Sequence, residues 1–508
     1  MKLQLNAGAY QSRALIAGAQ RCINLFPEAN PAEIDPESPF THYPRPGLIP
    51  LSKPPVQGRG RGLYRASNGD LYGVSGNAVY YIDPNWVQNP IGQIQNQFTP
   101  VSFADNGQSN GNQIVLVDNS PLGYQINMAS RQMTQIVDTT GLFTGSTLAS
   151  FFDTVFVFNE IGTNNWYVSL SEQVAFNALD QASKGTYGDP IQGIIASQRN
   201  LWLAGAMTAE PWFNAGDPIF PFEEVFGQFV PHGTIAPYSI CATDVNAFWL
   251  SQDKDGRAIF LMIEGYGAKK VSTFALEDEW LTYPRLNDAI CYTYQQGGHT
   301  FVVIHFPSAD KSWAYDLATK QWAQFGWIDQ NGKLHRERVT FHAFVGPPNY
   351  PPTNVGMDWA TGQIYAMDQK TFTDAGQPIA YVRSFPHVVD ELKQVTIPEL
   401  VIDMQTGTMP NTGEAPQFLN PFSSGFSNGF GPLTEVSVPQ IGVRISKDGG
   451  ATWGNYRFKS MVSAGRDRGM LRWRNLGMGR DIVVEVAWSA PFSTGLNQAF
   501  FEPLPHAA

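Results

Sequence analysis

The chain has 508 residues, 43% hydrophobic and 13% aromatic, enough apolar material for roughly two to four domains with sizeable cores. Only 15% are charged, against about 25% in a usual soluble domain, so part of the surface is expected to be covered by partners, since interfaces deplete charge and gather aromatics. The net charge of −11 speaks against global electrostatic attachment to DNA or an anionic membrane. The three cysteines (Cys22, Cys241, Cys291) are too few and too scattered for a disulfide scaffold or a zinc site.

The first residues, Met1-Lys2-Leu3-Gln4, lack the apolar core of a signal peptide, and no run approaches the roughly 20 apolar residues of a membrane helix. The expectation is a protein soluble when made, in a reducing compartment. Residues 1–55 have little periodicity. Asn24-Leu25-Phe26-Pro27-Glu28 and Tyr43-Pro44-Arg45-Pro46-Gly47-Leu48 enclose a Pro- and acid-rich loop, and prolines favour extended or turn conformations. This segment reads as an arm draped over the body, of the kind that lends one strand to the last blade of a closed ring.

From Gly60 a repeat begins. Its strongest strand is a short apolar run entered through a Gly, Asn, Asp or His turn. With Leu71, Ile114, Val155, Leu201, Phe248, Phe301 and Ile364 as anchors, the spacings are 43, 41, 46, 47, 53 and 63. A shorter strand precedes each anchor, within 62–66, 100–105, 147–153, 191–197, 238–243, 289–294 and 339–345. Three or four short strands every 40–50 residues mark a β-propeller blade. Between the fourth and fifth anchors lies a Pro/Gly/Phe-rich stretch, read as an excursion between blades. Its Trp212, Phe213, Phe220, Phe222, Phe226 and Phe229 exceed what a solvated loop exposes cheaply, so they are expected to pack on a neighbouring blade or subunit.

Beyond Gly376 the repeat stops and the acidic bias disappears: 11 Lys+Arg face 11 Asp+Glu, so the whole net charge lies earlier. Strand-like runs at 394–402, 435–446, 456–461, 471–474 and 481–487 read as a separate all-β unit. The expectation is therefore an all-β chain: arm 1–55, a six- or seven-bladed β-propeller over 56–375, and a C-terminal β-sandwich-like domain over 376–508. Residues 420–432 carry three phenylalanines in a Gly/Ser-rich loop, expected to bury against a neighbouring subunit or fold back on their own domain.

Ser446, Asp448, Gly450 and Trp453 fit the Asp-box pattern Ser-x-Asp-x-Gly-x-Thr-Trp, a structural turn in which the carboxylate caps backbone N–H groups. Glycosidase chemistry needs paired carboxylates facing a cleft; Glu223-Glu224 and Glu277-Asp278-Glu279 read instead as solvated loop acids. Asp253-Lys254-Asp255-Gly256 reads as a hairpin turn rather than a calcium loop. Cys241 and Cys291 read as small core residues. His299, His305, His335 and His342 lack metal-binding spacing, and no phosphate loop, dinucleotide fingerprint or nucleophile elbow is present. No catalytic residue, metal or cofactor is expected. Between Arg444 and Arg480, nine basic residues face two acids. Arg457, Lys459, Arg466, Arg468, Arg472 and Arg474 are expected to form a partner-facing surface, with Arg472 and Arg474 on one face of a strand and Trp473 on the other. An acidic propeller of a neighbour, an acidic partner protein and DNA phosphate all suit such a face.

Several segments resemble the packaged-DNA stabilization proteins of short-tailed bacteriophages, also called tail accessory factors, tail hub or nozzle. These are Glu210–Gly216 with Phe220-Pro221-Phe222, Gly233, Ala236–Ser239 and Phe248–Leu250, together with Asn24–Glu28, Arg45-Pro46-Gly47, Asn68–Ile82 and Gly265–Glu277. The resemblance is strongest over 193–283 and weakest over 411–432. It implies a structural virion protein, not an enzyme, made in the bacterial cytoplasm and placed in the tail. It also implies a ring of copies, six in relatives, below the portal and its adaptor. There it would close the head, retain DNA and serve as the conduit for ejection. Implied partners are the portal-adaptor proteins, a tail needle or plug, tailspikes or tail fibres, and the outer membrane during ejection. DNA would pass without sequence-specific binding, and acidic walls would let it slide. The other reading is a carbohydrate-binding or glycan-degrading propeller acting as a receptor-binding tail protein.

Overall fold

The computed structural model describes residues 2–3, 8–31, 40–107, 111–185, 187–217, 220–407, 418–425, 427–461, 468–501 and 504–505. Within them the repeat becomes seven antiparallel four-stranded blades. The first six run Gly60–Gln93, Ser102–Gln135, Ala149–Ser183, Ile191–Glu224, Cys241–Lys270 and Ile290–Ile328 in strictly sequential strand order. The seventh takes three strands from Val339–Val345, Thr353–Asp358 and Ile364–Asp368, and its fourth from Gly47–Ser52 of the arm.

The anchor strands carry apolar residues on both faces through their middles because both faces are covered. Side chains alternate across a strand, so Ile114 and Leu116 join the cluster shared with blade one while Val115 and Val117 join that shared with blade three. Likewise Leu201 and Leu203 face blade three, and Trp202 and Ala204 face blade five. Leu63 and Leu71 of blade one meet Val355 and Met357 of blade seven, which closes the ring. The seventh anchor is corrected: Ile364 lies in the third strand of its blade, and the equivalent second strand is Thr353–Asp358. The irregular last spacing reflects that shift.

The Pro/Gly/Phe-rich stretch is also corrected. It is not an excursion between blades. Ala209–Asn214 and Phe222–Glu224 are the third and fourth strands of blade four, with Leu201 opposite Trp212 and Trp212 opposite Glu224.

Residues beyond 376 form two facing sheets. Val395–Gln405 pairs with Arg468–Gly479 and Gly495–Phe501, and the last joins the arm hairpin Leu25–Ala29/Phe40–Pro44. Opposite stand Tyr381–Ser384, Asp481–Trp488, Gln440–Ser446 and Arg457–Ser460. Ile397, Leu400, Ile402, Leu496 and Phe501 of one sheet and Ile441, Val443, Val484, Val486 and Trp488 of the other lie in one buried cluster, the arrangement of a β-sandwich.

Cys22–Ile23 pairs in parallel with the outer strand of blade six and antiparallel with Tyr381–Ser384, so one sheet runs from propeller to sandwich. Asn24 anchors the crossing. It is fully buried in a left-handed conformation (φ 57°), which Asn tolerates better than most residues. Its Oδ1 accepts from Arg45 Nε and Gly326 N, each at 2.9 Å, and its Nδ2 donates to Ala380 O at 2.9 Å. One side chain thus ties arm, blade six and sandwich.

Candidate functional site

The six aromatics singled out around blade four separate into two groups. Trp212, Phe220 and Phe222 surround the fully buried Trp166 of blade three, with ring centroids at 5.2, 5.3 and 5.4 Å. Edge-to-face contacts of this kind add about 0.5–1.5 kcal/mol per pair to the area they bury. The indole of Trp212 donates to Glu210 Oε1 at 3.1 Å, so its polar edge is satisfied. The other three point away from this core. Phe226 is 98% exposed, while Phe213 and Phe229 are partly exposed, Phe229 lying 5.5 Å from the exposed Tyr187. Exposed aromatic side chains therefore lie on the outer part of blade four.

The basic run lies along one side of the sandwich, on the edge strands of both its sheets. Arg472 and Arg474 are exposed on one face of Arg468–Gly479, and Trp473 is buried on the other. Both arginines reach Glu399, at 3.4 and 3.6 Å. Exposed Arg457 donates to the carbonyls of Arg474 and Asn475, and Lys459 lies 5.6 Å from the Trp473 ring centroid. Arg466 lies outside the described residues, as does the side chain of Arg468.

Arg444 does not belong to this surface. It is buried, and its Nε donates to Glu485 Oε1 at 2.8 Å. Glu485 also holds Arg21 at 3.1 Å and accepts from Ser384 Oγ at 2.8 Å and Tyr456 OH at 2.9 Å. Burial alone would raise the Glu485 carboxyl; Arg21 and Arg444, aided by these hydroxyls, hold it below the ordinary range. Arg21 comes from the arm, so this network is a second tie between arm and sandwich.

The Asp-box residues form the expected turn between Gln440–Ser446 and Arg457–Ser460. Asp448 Oδ1 accepts from Thr452 N at 2.8 Å, and Ser446 Oγ accepts from Gly450 N at 2.7 Å. Gly449 and Gly450 take φ of 68° and 98°, where a side chain is strained. Trp453 lies under the Arg444 guanidinium at 4.6 Å. Phe422 and Phe430, on the paired strands Phe418–Phe422 and Phe430–Val436, are buried 5.7 Å apart in a cluster that joins Val382, Tyr456 and Ala487 of the sandwich to Ile23 of the arm and Ile328 of blade six; Phe426 lies outside the described residues.

The acidic clusters occupy different elements from those expected. Glu277, Asp278 and Glu279 lie on the helix Phe274–Trp280, capped by Thr273. Each is engaged separately: Glu277 with Ser272 and Lys270, Asp278 with Arg257, Glu279 with Tyr283. Glu223 and Glu224 end the outer strand of blade four. Asp253 Oδ1 accepts from the amides of Asp255 and Arg257, which makes 253–256 a hairpin turn. Cys241 and Cys291 stand on the inner strands of blades five and six with sulfurs 3.1 Å apart, half-buried rather than fully in the core. Among the described residues no group of three metal-ligating side chains converges.

A protein-family model described as "Bacteriophage P22 Gp10, beta-propeller", for phage stabilisation proteins, matches residues 1–371. No curated protein matches. Among solved structures, the crystal structure of the computationally designed Ika8 protein aligns over 63% of this chain and 99% of its own, at 12% identity and a TM-score of 0.34.

Proposed function

The chain belongs to the phage-stabilisation family of Bacteriophage P22 Gp10, and within that family of packaged-DNA stabilisation proteins we propose that it is the ring-forming hub, or nozzle, of a phage tail. In this reading several copies, six as the resemblance implies, assemble below the portal and its adaptor. They close the filled head and later conduct DNA out. The needle or plug and the tailspikes or fibres attach to the same ring.

The observation that carries the reading is the apolar rim of blade four. Phe226, Phe213, Phe229 and Tyr187 are exposed in the single chain, with Phe229 packed on Tyr187, and exposed aromatic surface of this kind suits a protein interface. The closed propeller, stitched to the sandwich through Asn24 and the Arg21–Glu485 pair of the arm, supports a rigid load-carrying part. The exposed Arg472–Arg474 edge offers a second contact, complementary to the acidic region before residue 376 in a neighbouring copy.

Antibody labelling of intact particles tests the location. Label confined to the tail vertex fits a hub; label spread over the capsid shell contradicts it.

A further inference from the structure

The inner strands of the blades enclose the propeller axis. At the end where these strands begin, the axis opens into a cavity of about 830 Å³. Its wall draws on blades one, two, four, five, six and seven, and its charged members are Arg59, Arg285 and Arg336 against the single carboxylate of Asp288, with Trp359 beside them.

Arg336 is the unusual member. It is only 3% exposed, lies flat over Trp359 at 4.0 Å, and its Nη1 has no hydrogen-bond partner. No carboxylate among the described residues comes within ion-pair distance of it. The acids nearby are committed elsewhere. Asp288 Oδ2 accepts from Ser308 N, and Asp310 holds the Arg336 backbone amide and His335. Asp358 accepts from Ala360 N and Tyr365 OH. Burial and the neighbouring charge of Arg59 push the Arg336 guanidinium down to about 10. Asp310, Asp288 and Asp358 offset part of this from beyond ion-pair distance, but a buried cation with no direct counter-charge is still costly, and an anion in the cavity would supply one. Exposed Arg59 and Arg285 line the same mouth and add two positive charges.

We propose that this axial mouth binds a phosphate-class oxyanion, with Arg336 as its buried anchor and Arg59 and Arg285 at its rim. Guanidinium forks match phosphate oxygens in bidentate geometry, and a doubly charged phosphate suits three arginines better than a single carboxylate does. The source is either a free phosphate compound or the phosphorylated end of a nucleic acid. This site is independent of the ring.

The test is titration calorimetry on the full chain at fixed ionic strength, with two probes. One is pyrophosphate; the other is a short 5′-phosphorylated oligonucleotide compared with its unphosphorylated twin. Saturable 1:1 binding is expected, with a rise in melting temperature, because a ligand selective for the folded state stabilises it. Arg336→Met should weaken binding about tenfold or more, with Arg336→Lys in between. If Arg336→Met does not fold, the exposed pair Arg59→Gln/Arg285→Gln decides, and should weaken binding about tenfold. Binding of pyrophosphate as tight as the phosphorylated end identifies the free anion; preference for the phosphorylated end identifies nucleic acid. Absence of saturable binding by both probes, or undiminished affinity in folded variants, overturns the proposal.

Discussion

Arg45 and Asp374 form a bidentate ion pair sealed from solvent, Nη1 to Oδ1 at 3.1 Å and Nη2 to Oδ2 at 2.6 Å. Arg45 adjoins the arm strand that completes blade seven, and Asp374 lies just after that blade. The same guanidinium donates to Gly326 O at 3.1 Å, and Glu337 stands 3.5 Å away. The pair therefore locks the closing strand in place. Asp374→Ala leaves a buried charge only partly countered and should cost about 3–5 kcal/mol. Urea unfolding measures the loss, and limited proteolysis should cut residues 1–55 sooner. An unchanged midpoint would show that closure does not depend on this pair.

Two phenylalanines of blade four should behave oppositely. Phe222 is buried against Trp166 and Phe152, so Phe222→Ala should destabilise the single chain by about 3–5 kcal/mol. Phe226 is exposed, so Phe226→Ser should leave the melting temperature nearly unchanged while weakening self-association. Sedimentation velocity beside thermal unfolding separates the two effects. Equal self-association of Phe226→Ser and wild type would remove the rim from the interface.

Glu485 predicts a pH signature. Its folded carboxyl is held below the ordinary range, so the folded chain binds this proton less readily than the unfolded chain. The stability it contributes is complete above the unfolded carboxylate pKa of about 4.3 and is lost as pH falls through the folded value. Glu485→Gln should cost about 3–5 kcal/mol near pH 7, and its gap from wild type should narrow in acid. Denaturation at several pH values checks this; a gap of constant size would assign the loss to shape rather than charge.

Much of the propeller was legible in the sequence because the second strands of the first six blades are buried on both faces and therefore centre on a short apolar run. Blade seven was harder, since its fourth strand comes from residues 47–52, far away in the chain. The strand Ala209–Asn214 was concealed in the outer half of blade four, because Pro211 weakens a strand signal even where the strand exists. Arg444 looked like one more surface charge. Its partner Glu485, shared with Arg21, is distant in sequence, and no local pattern reveals burial in a long-range network. Arg336 likewise carries no motif; its isolation is visible only in three dimensions.

Charge reversal at Arg472 and Arg474 tests the basic edge. Both are exposed, and among the described residues their guanidiniums pair with Glu399, so Arg472→Glu/Arg474→Glu should change stability by less than about 1 kcal/mol. Attachment to an acidic partner surface should fall, most clearly at low salt, where surface charges are least screened. Binding to portal–adaptor complexes across a salt series measures it; equal binding at every salt concentration would place the edge outside the contact.

The central claim is that this chain works as a ring at the head's exit. Purified protein added to portal–adaptor complexes and imaged by cryo-electron microscopy tests it most directly. The account predicts a closed ring of copies, six as the resemblance implies, seated on the adaptor with the blade-four rim buried between neighbours. Monomers that remain free, or single copies bound at the periphery, would contradict it.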